Sequence, residues 1–344
     1  MGSVKDFNVM QEADGSTPGR ARFTFSDRYS VFDWGEMPDR IDHKGAAIAI
    51  LGAYFFEKLE ARGIPTHYRG LVEDGAVKKL DQVEKPVNVM EVALLRIIRP
   101  EINGTEYDYA AYLKETSNFL IPLEIIYRNS LPQGSSVFKR FERGEITPGD
   151  LGLDDMPVPG QVLDTPIIDV STKLEVTDRY ISWDEAARIS GMNSREIADL
   201  RKLAEVVNTL ITEEFLEIGL TNEDGKIEVG YDELRRLMLV DVLGTLDECR
   251  FTIDGLPVSK EIARIFYRDT TWCRDVEAAK QKDRQNWKKI CRSAPPRLPA
   301  GIKRLISQVY CGCTNEITRK EWFPGIPPLR ELCGDFQKVL SGTE

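Results

Sequence analysis

Histidine is nearly missing from this sequence: 344 residues hold only His43 and His67, far apart and without a flanking nucleophile or metal-ligand pattern. A histidine-centred mechanism is therefore not expected. No apolar run approaches the roughly 20 residues of a membrane-spanning helix. The start, Met1-Gly2-Ser3-Val4-Lys5-Asp6, lacks the apolar segment of a signal peptide. A cytoplasmic location without a membrane partner is expected. A basic surplus is absent too, since 46 Lys and Arg face 56 Asp and Glu for a net charge of -10. That argues against nucleic acid as a partner, but not against phosphorylated small molecules held by local clusters of Lys and Arg. Cys-x-x-Cys knuckles are also lacking. Cys291, Cys311-Gly312-Cys313 and Cys333 leave zinc open, with reduced thiols the stronger expectation.

A chain of this length exceeds what one core usually serves, so more than one domain is expected. Two strands, Val4 to Met10 and Ala21 to Phe25, flank a charged loop and read as a hairpin. Ala47, Ile48, Leu51, Tyr54, Phe55 and Leu59 fall at helical spacing after Lys44-Gly45, and Gly63 with Pro65 stops that helix. Further strands are expected at His67 to Leu71, Gly75 to Lys79 and Val87 to Ile98. The first domain boundary is placed at Lys85-Pro86. Residues 101–118 read as an insertion and 144–169 as a long loop. Ser182 with Glu185, and Asn193 with Glu196, are capping-box patterns that open helices. Residues 271–344 read as a Cys-containing C-terminal extension.

The stretch Asp224-Gly225-Lys226-Ile227-Glu228-Val229-Gly230 is expected to form a strand. Alternation would put Asp224, Lys226 and Glu228 on one face and Ile227 and Val229 in a core. The next apolar run, Leu237 to Val240, would pair with it and bring Asp241 near Glu228. Two carboxylates beside a Lys suit a Mg2+-nucleotide site; an exposed hairpin face is the alternative. Leu120 to Asn129 reads as a strand carrying Arg128 into Gln133-Gly134-Ser135-Ser136. That Gly-Ser-Ser loop reads equally well as a phosphate cradle or an ordinary turn.

Taken in order, these elements resemble the SAICAR synthetase family, phosphoribosylaminoimidazole-succinocarboxamide synthases. The resemblance runs from about residue 2 to 270. It rests on Gly2 to Asp6, Asp27-Arg28-Tyr29-Ser30-Val31-Phe32-Asp33, Lys44-Gly45, Glu124 to Arg128 with Gly134-Ser135, Asp224 to Gly230, and Asp241, Thr245, Asp247 and Arg250. The resemblance implies an α+β, two-domain, ATP-grasp-like fold with a C-terminal helical extension, divided at 1–86, 87–270 and 271–344. It implies a ligase that uses ATP and Mg2+ to phosphorylate the carboxylate of carboxyaminoimidazole ribotide. The amine of L-aspartate then displaces phosphate to form an amide. Glu228 and Asp241 would hold the metal, and Lys5 and Lys226 would face the nucleotide phosphates. Lys226, Arg250 and Lys5 would act in the chemical step. Arg128, Ser135, Asp247 and Arg250 would hold the ribotide, with Asp33 and Lys44 as further substrate-binding candidates. A homo-oligomer acting on small molecules is expected. Ser3, Val242, Glu248 and Cys249 depart from the family pattern: Val242 removes a carboxylate beside Asp241, and Glu248 adds one near a phosphorylated substrate. These departures motivate two alternatives, a paralogue ligating another acid and amine in secondary metabolism, and a non-catalytic nucleotide-binding scaffold.

Overall fold

The computed structural model describes residues 4–104, 106–283 and 286–334, so Gly2 and Ser3 of the opening motif lie outside the described residues. The chain begins with β1 (Lys5–Gln11) and β2 (Gly19–Phe25), the expected hairpin. Helix α1 (Lys44–Glu60) follows, then β3 (Tyr68–Glu73), β4 (Ala76–Lys78) and β5 (Val89–Leu94). These strands form one antiparallel sheet in the order β1-β2-β5-β3-β4. The division expected at Lys85-Pro86 therefore falls inside this sheet, because β5 fills the place between β2 and β3. Residues 101–118 form a separate small hairpin, β6 (Glu101–Asn103) with β7 (Glu106–Asp108), and a 3-10 turn over Ala110–Lys114.

The second sheet is built on β8 (Phe119–Leu131), β9 (Gln161–Thr172), β10 (Thr221–Tyr231), β11 (Leu237–Val240), β12 (Cys249–Ile253) and β13 (Leu256–Pro257). Its order is β13-β12-β10-β8-β9, with β11 pairing β10 off that path. Strand β9 corrects the expectation of a loop over 144–169: its outer half is mostly exposed, so no apolar alternation marks it, whereas residues 167–172 are buried. Short α2 (Ser136–Glu142) follows β8. The helices α3 (Trp183–Ser190) and α4 (Ser194–Glu217) start at Ser182 and Asn193, whose side chains accept from the backbone N–H groups of Glu185 and Glu196. Helix α4 covers the core face of the sheet, where Phe215 stacks on Phe251 at 3.7 Å between ring centroids. Burying such rings stabilises the fold by about 1.5–3 kcal/mol each.

Further helices follow: α5 (Glu261–Arg268), α6 (Thr271–Lys282), α7 (Trp287–Ile290) and α8 (Ala300–Thr318). Helix α8 lies against α1, where the Thr314 hydroxyl donates to the Ala47 carbonyl at 3.2 Å. The C-terminal part is thus packed onto the N-terminal helix. Cys311 and Cys313 are fully buried in that packing, and burial pushes the Cys311 thiol up to about 12. No helix of the described residues is long and apolar enough to cross a membrane.

The two sheets meet at His67. Its backbone N–H donates to the Leu239 carbonyl at 2.9 Å, and Ala93 N–H donates to the His67 carbonyl at 2.7 Å. The ring is buried between Phe23 and Phe56, with Nε2 2.9 Å from the Asp241 carbonyl oxygen. A carbonyl only accepts, so Nε2 carries the proton. Burial, aided by Lys5 and Arg69, lowers the ring's pKa from 6.5 to about 3. In the unfolded chain the ring protonates below about pH 6.5 while the folded ring stays neutral. This contribution to stability is complete above that pH and is lost as pH falls toward 3. His67 should therefore account for about 2 kcal/mol of lost stability between pH 7 and pH 5. Urea unfolding of His67→Gln at both values should lack that increment; an unchanged loss would show that the ring does not stay neutral.

Candidate active site

Register on the second sheet sets out the site. Strand β10 pairs β8 with Asp224 opposite Arg128 and Glu228 opposite Glu124, and pairs β12 with Asp224 opposite Arg250. Alternation sends Ile227 and Val229 into the core, both at most 1 % exposed, and turns Asp224, Lys226 and Glu228 to the other face. Between them, Gly225 passes so close to Tyr127 that a Cβ would lie 2.2 Å from its hydroxyl. Above this face opens a cavity of about 790 Å³, walled also by α2, α5, α6 and the segment after β9.

One side of the cavity is a guanidinium and hydroxyl cluster. Arg250 clamps Asp224 with two hydrogen bonds, the Nε one at 2.8 Å, and Arg128 stands 3.5 Å from the same carboxylate. Arg128 also donates to Ser136 Oγ at 3.1 Å, Tyr180 Oη at 3.0 Å and Ser135 Oγ at 3.4 Å. It is 2 % exposed, and its Nε has no partner. A buried donor left unpaired costs about 1–3 kcal/mol, which an anionic ligand on this cluster would offset.

The other side is an ammonium and carboxylate cluster. Lys173 Nζ lies 2.7 Å from Glu124 and 2.6 Å from Glu228, and Lys226 Nζ lies 3.0 Å from Glu124 and 3.2 Å from Glu248. Lys5 pairs with Asp241. Burial lowers the Lys226 ammonium's pKa, but Glu248, Glu124 and Glu228 outweigh it and hold the group charged. Burial raises Glu124, yet Lys226 and Lys173 outweigh that and lower it to about 2. For Lys5, burial wins over Glu228 and Glu248 and brings the ammonium down to about 8.

The family model described as SAICAR synthetase matches residues 12–282. The chain belongs to the SAICAR synthetase family. A putative phosphoribosylaminoimidazole-succinocarboxamide synthase from Archaeoglobus fulgidus is 49 % identical over 340 residues, covering 99 % of this chain and all of its own length. The phosphoribosylaminoimidazole-succinocarboxamide synthase of Thermoplasma acidophilum is 30 % identical over 309 residues, covering 87 % of this chain and 93 % of its own. In fold, the chain matches the Saccharomyces cerevisiae SAICAR synthase at a TM-score of 0.60, with 20 % identity over 91 % of this chain and 96 % of that one. It matches the Pyrococcus horikoshii SAICAR synthetase at 0.54, with 23 % identity over 85 % and 100 %. The mixed α/β, SAICAR synthetase-like fold expected from the sequence is therefore present.

Within this SAICAR synthetase fold, Arg128, Ser135, Lys226, Asp247, Arg250 and Asp33 line one cavity. Asp33 stands at its open edge, 86 % exposed at the side chain and paired with Lys280 at 2.7 Å. Glu228 and Asp241 lie beside the wall: Glu228 opposes Val240 in the β10–β11 pairing, so Asp241 follows one residue on. Lys44 departs from expectation. It is 1 % exposed and off the wall, with its Nζ held by Asp247 Oδ2 at 2.5 Å. Its place is to hold Asp247, whose Oδ1 accepts from the Tyr310 hydroxyl at 2.6 Å and whose carbonyl accepts from Lys260. Burial raises the Asp247 carboxyl's pKa, but Lys44 and Lys260, with Tyr310, outweigh it.

Sequence reasoning missed Glu124 as a ligand of Lys226, and also Lys173, Tyr180, Lys260 and Tyr310. Glu124 was findable, two strand positions from Ile126 on the face of Arg128. Tyr310 was not, because 63 residues separate it from Asp247 and nothing local marks it. Tyr310→Phe should cost about 1.5–3 kcal/mol, the worth of a hydrogen bond to a charged group. Urea unfolding checks this; a change below about 0.5 kcal/mol would mean that Lys44 alone secures Asp247.

Proposed function

We propose that this chain is an ATP-dependent ligase joining the carboxylate of carboxyaminoimidazole ribotide to the amine of L-aspartate through an acyl phosphate. The observation that carries this reading is the alignment along β10. A cluster suited to a phosphate monoester, Arg128, Ser135 and Arg250 around Asp224, stands directly beside ammonium groups suited to a transferring phosphoryl group. Family membership supplies the rest, through relatives that carry the synthase's name over most of their length.

In this reading the ribotide phosphate docks on Arg128, Arg250 and Ser135 at the start of α2, where fork-shaped donors match phosphate oxygens. Lys226, and Lys5 from the first sheet, face the nucleotide phosphates and the forming acyl phosphate. Phosphoryl transfer needs positioning and charge neutralisation more than acid and base groups, in keeping with a site that has no histidine on its wall. The donor set fits Mg2+ in kind. Glu228 and Asp241 are hard oxygen donors beside phosphate-facing ammonium groups, and Mg2+ is commonly held by one or two carboxylates plus substrate phosphates. When bound, the ion neutralises charge on the phosphates. Glu248 does not oppose an anionic substrate as its sequence position suggested. Its carboxylate is matched by Lys226, Lys260 and Lys5. The same reading takes the chain to work in the cytoplasm as a homo-oligomer on small molecules alone.

Purified protein given the ribotide, L-aspartate, ATP and Mg2+ should release ADP and phosphate in step with amide formation. Glu228→Gln and Asp241→Asn should each lower kcat by about 10²-fold or more and weaken the Mg2+ dependence. ADP release with another acid and amine, but not with this pair, would favour the paralogue reading instead.

A further inference from the structure

Ahead of α1, the Trp34 N–H donates to the Val31 carbonyl at 3.1 Å and closes a four-residue turn. Its two central residues, Phe32 and Asp33, line the cavity, and both have positive φ, 55° and 61°. Turns of that kind favour Gly, Asn and Asp at their centre, so Phe32 is held there by its surroundings. The hold comes from α6, 248 residues further along the chain. Lys280 Nζ donates to the Phe32 carbonyl at 2.9 Å and to Asp33 Oδ2 at 2.7 Å, and it lies 4.8 Å from the centroid of the Trp287 ring. Aromatic contacts fasten the same joint: Trp34 stands 5.4 Å from Trp272 and 5.9 Å from Trp287 between ring centroids. Lys280 itself lines the cavity. Its pairing with the exposed Asp33 carboxylate contributes little to stability. The carbonyl contact has a different consequence. A peptide is planar, so fixing the Phe32 carbonyl fixes the plane that joins Phe32 to Asp33 and the direction in which Asp33 leaves the chain.

We infer that Lys280 is a positioning residue for the ribotide: by holding the Phe32–Asp33 peptide it sets the Asp33 carboxylate at the open edge of the cavity as a hydrogen-bond acceptor. This rests on the ligase reading above. A ribotide carries ribose hydroxyls and a ring amino group, which are neutral donors, as well as anionic groups. A bare carboxylate would accept from those donors but repel the anionic groups. Paired with Lys280, it keeps its acceptor capacity, because a carboxylate offers about four acceptor sites and the ammonium takes one of them. The repulsion is offset at the same time. Lys280 acts through the turn, so its part in the reaction is to place Asp33 and not to touch the reacting atoms. The helices that follow the second sheet thereby take a share in substrate binding.

The test is a double-mutant cycle on the full chain, assayed with the ribotide, L-aspartate, ATP and Mg2+. Lys280→Met keeps the apolar stem and removes the ammonium. It should raise the KM for the ribotide by about tenfold, the effect of one hydrogen bond to a charged group, with kcat and the KM for ATP within about threefold. In an Asp33→Ala background the same change should move the ribotide's KM by less than about twofold, because the carboxylate through which Lys280 acts is already gone. Equal rises in both backgrounds would overturn the inference, since Lys280 would then act without Asp33. An unchanged KM in the single variant would overturn it too, and a lowered urea midpoint beside it would leave Lys280 as packing for Trp287. If the unaltered protein releases no ADP with these substrates, the ligase reading itself fails, and this inference with it.

Discussion

Asp247 is the point on which the site depends. Its two carboxylate oxygens are taken by Lys44 at the start of α1 and Tyr310 in the middle of α8, and its carbonyl by Lys260. One buried side chain thus joins the first sheet's helix, the last long helix and the loop between β11 and β12. That loop begins at Asp241 and runs into Glu248 and, at the start of β12, Arg250, both on the cavity wall. Removing either charged partner, Lys44 or Asp247, would leave an uncompensated buried charge, at a cost of about 3–5 kcal/mol. The geometry of the reacting groups is therefore inseparable from the packing of a segment that, in sequence, lies far outside them.

The same principle operates across the sheet. Charged side chains face a cavity over a floor of apolar side chains, and desolvated charge is tolerable only when matched. Antiparallel register supplies the matching for Arg128, Asp224 and Arg250, which alternate in sign over three adjacent strands, whereas Lys226 meets Glu124 diagonally and Glu248 just before β12. An anion entering the cavity would meet cations already paired to internal carboxylates, so its binding would not require charges to be moved into place.

Much of this was legible in the sequence, for a physical reason. Period-two alternation in Asp224 to Gly230 dictates both strand and facing, and Leu237 to Val240 forms the expected partner strand. Capping residues marked the starts of α3 and α4 because their side chains satisfy local N–H groups. What stayed hidden is non-local. The division at Lys85-Pro86 looked natural because Pro and charge interrupt the chain there, yet strand pairing carries β5 back between β2 and β3. Lys44 read as a substrate ligand because its neighbours match a motif; only the fold places Asp247 against it. Strand β9 lacks alternation in its exposed half, and α8 carries Gly and Cys that blur its period.

The departures from the family pattern separate once the packing is known. Val242 is 5 % exposed and lies so close to Gly52 of α1 that a Cβ there would be 2.7 Å from its methyl group. At this position the chain has an apolar contact between helix and loop. An acidic side chain would be buried against α1, where an unpaired charge is expensive. Cys249 is likewise turned inward, its thiol 3.2 Å from the Tyr127 hydroxyl and raised by burial to about 12, so it acts as packing rather than as a nucleophile. Glu248 alone of the three brings charge to the cavity, and it does so amid the ammonium groups of Lys226, Lys260 and Lys5. The two apolar changes thus belong to the core. Of Val242, Glu248 and Cys249, it is Glu248 that can act on what enters the cavity, through its carboxylate and its hold on Lys226.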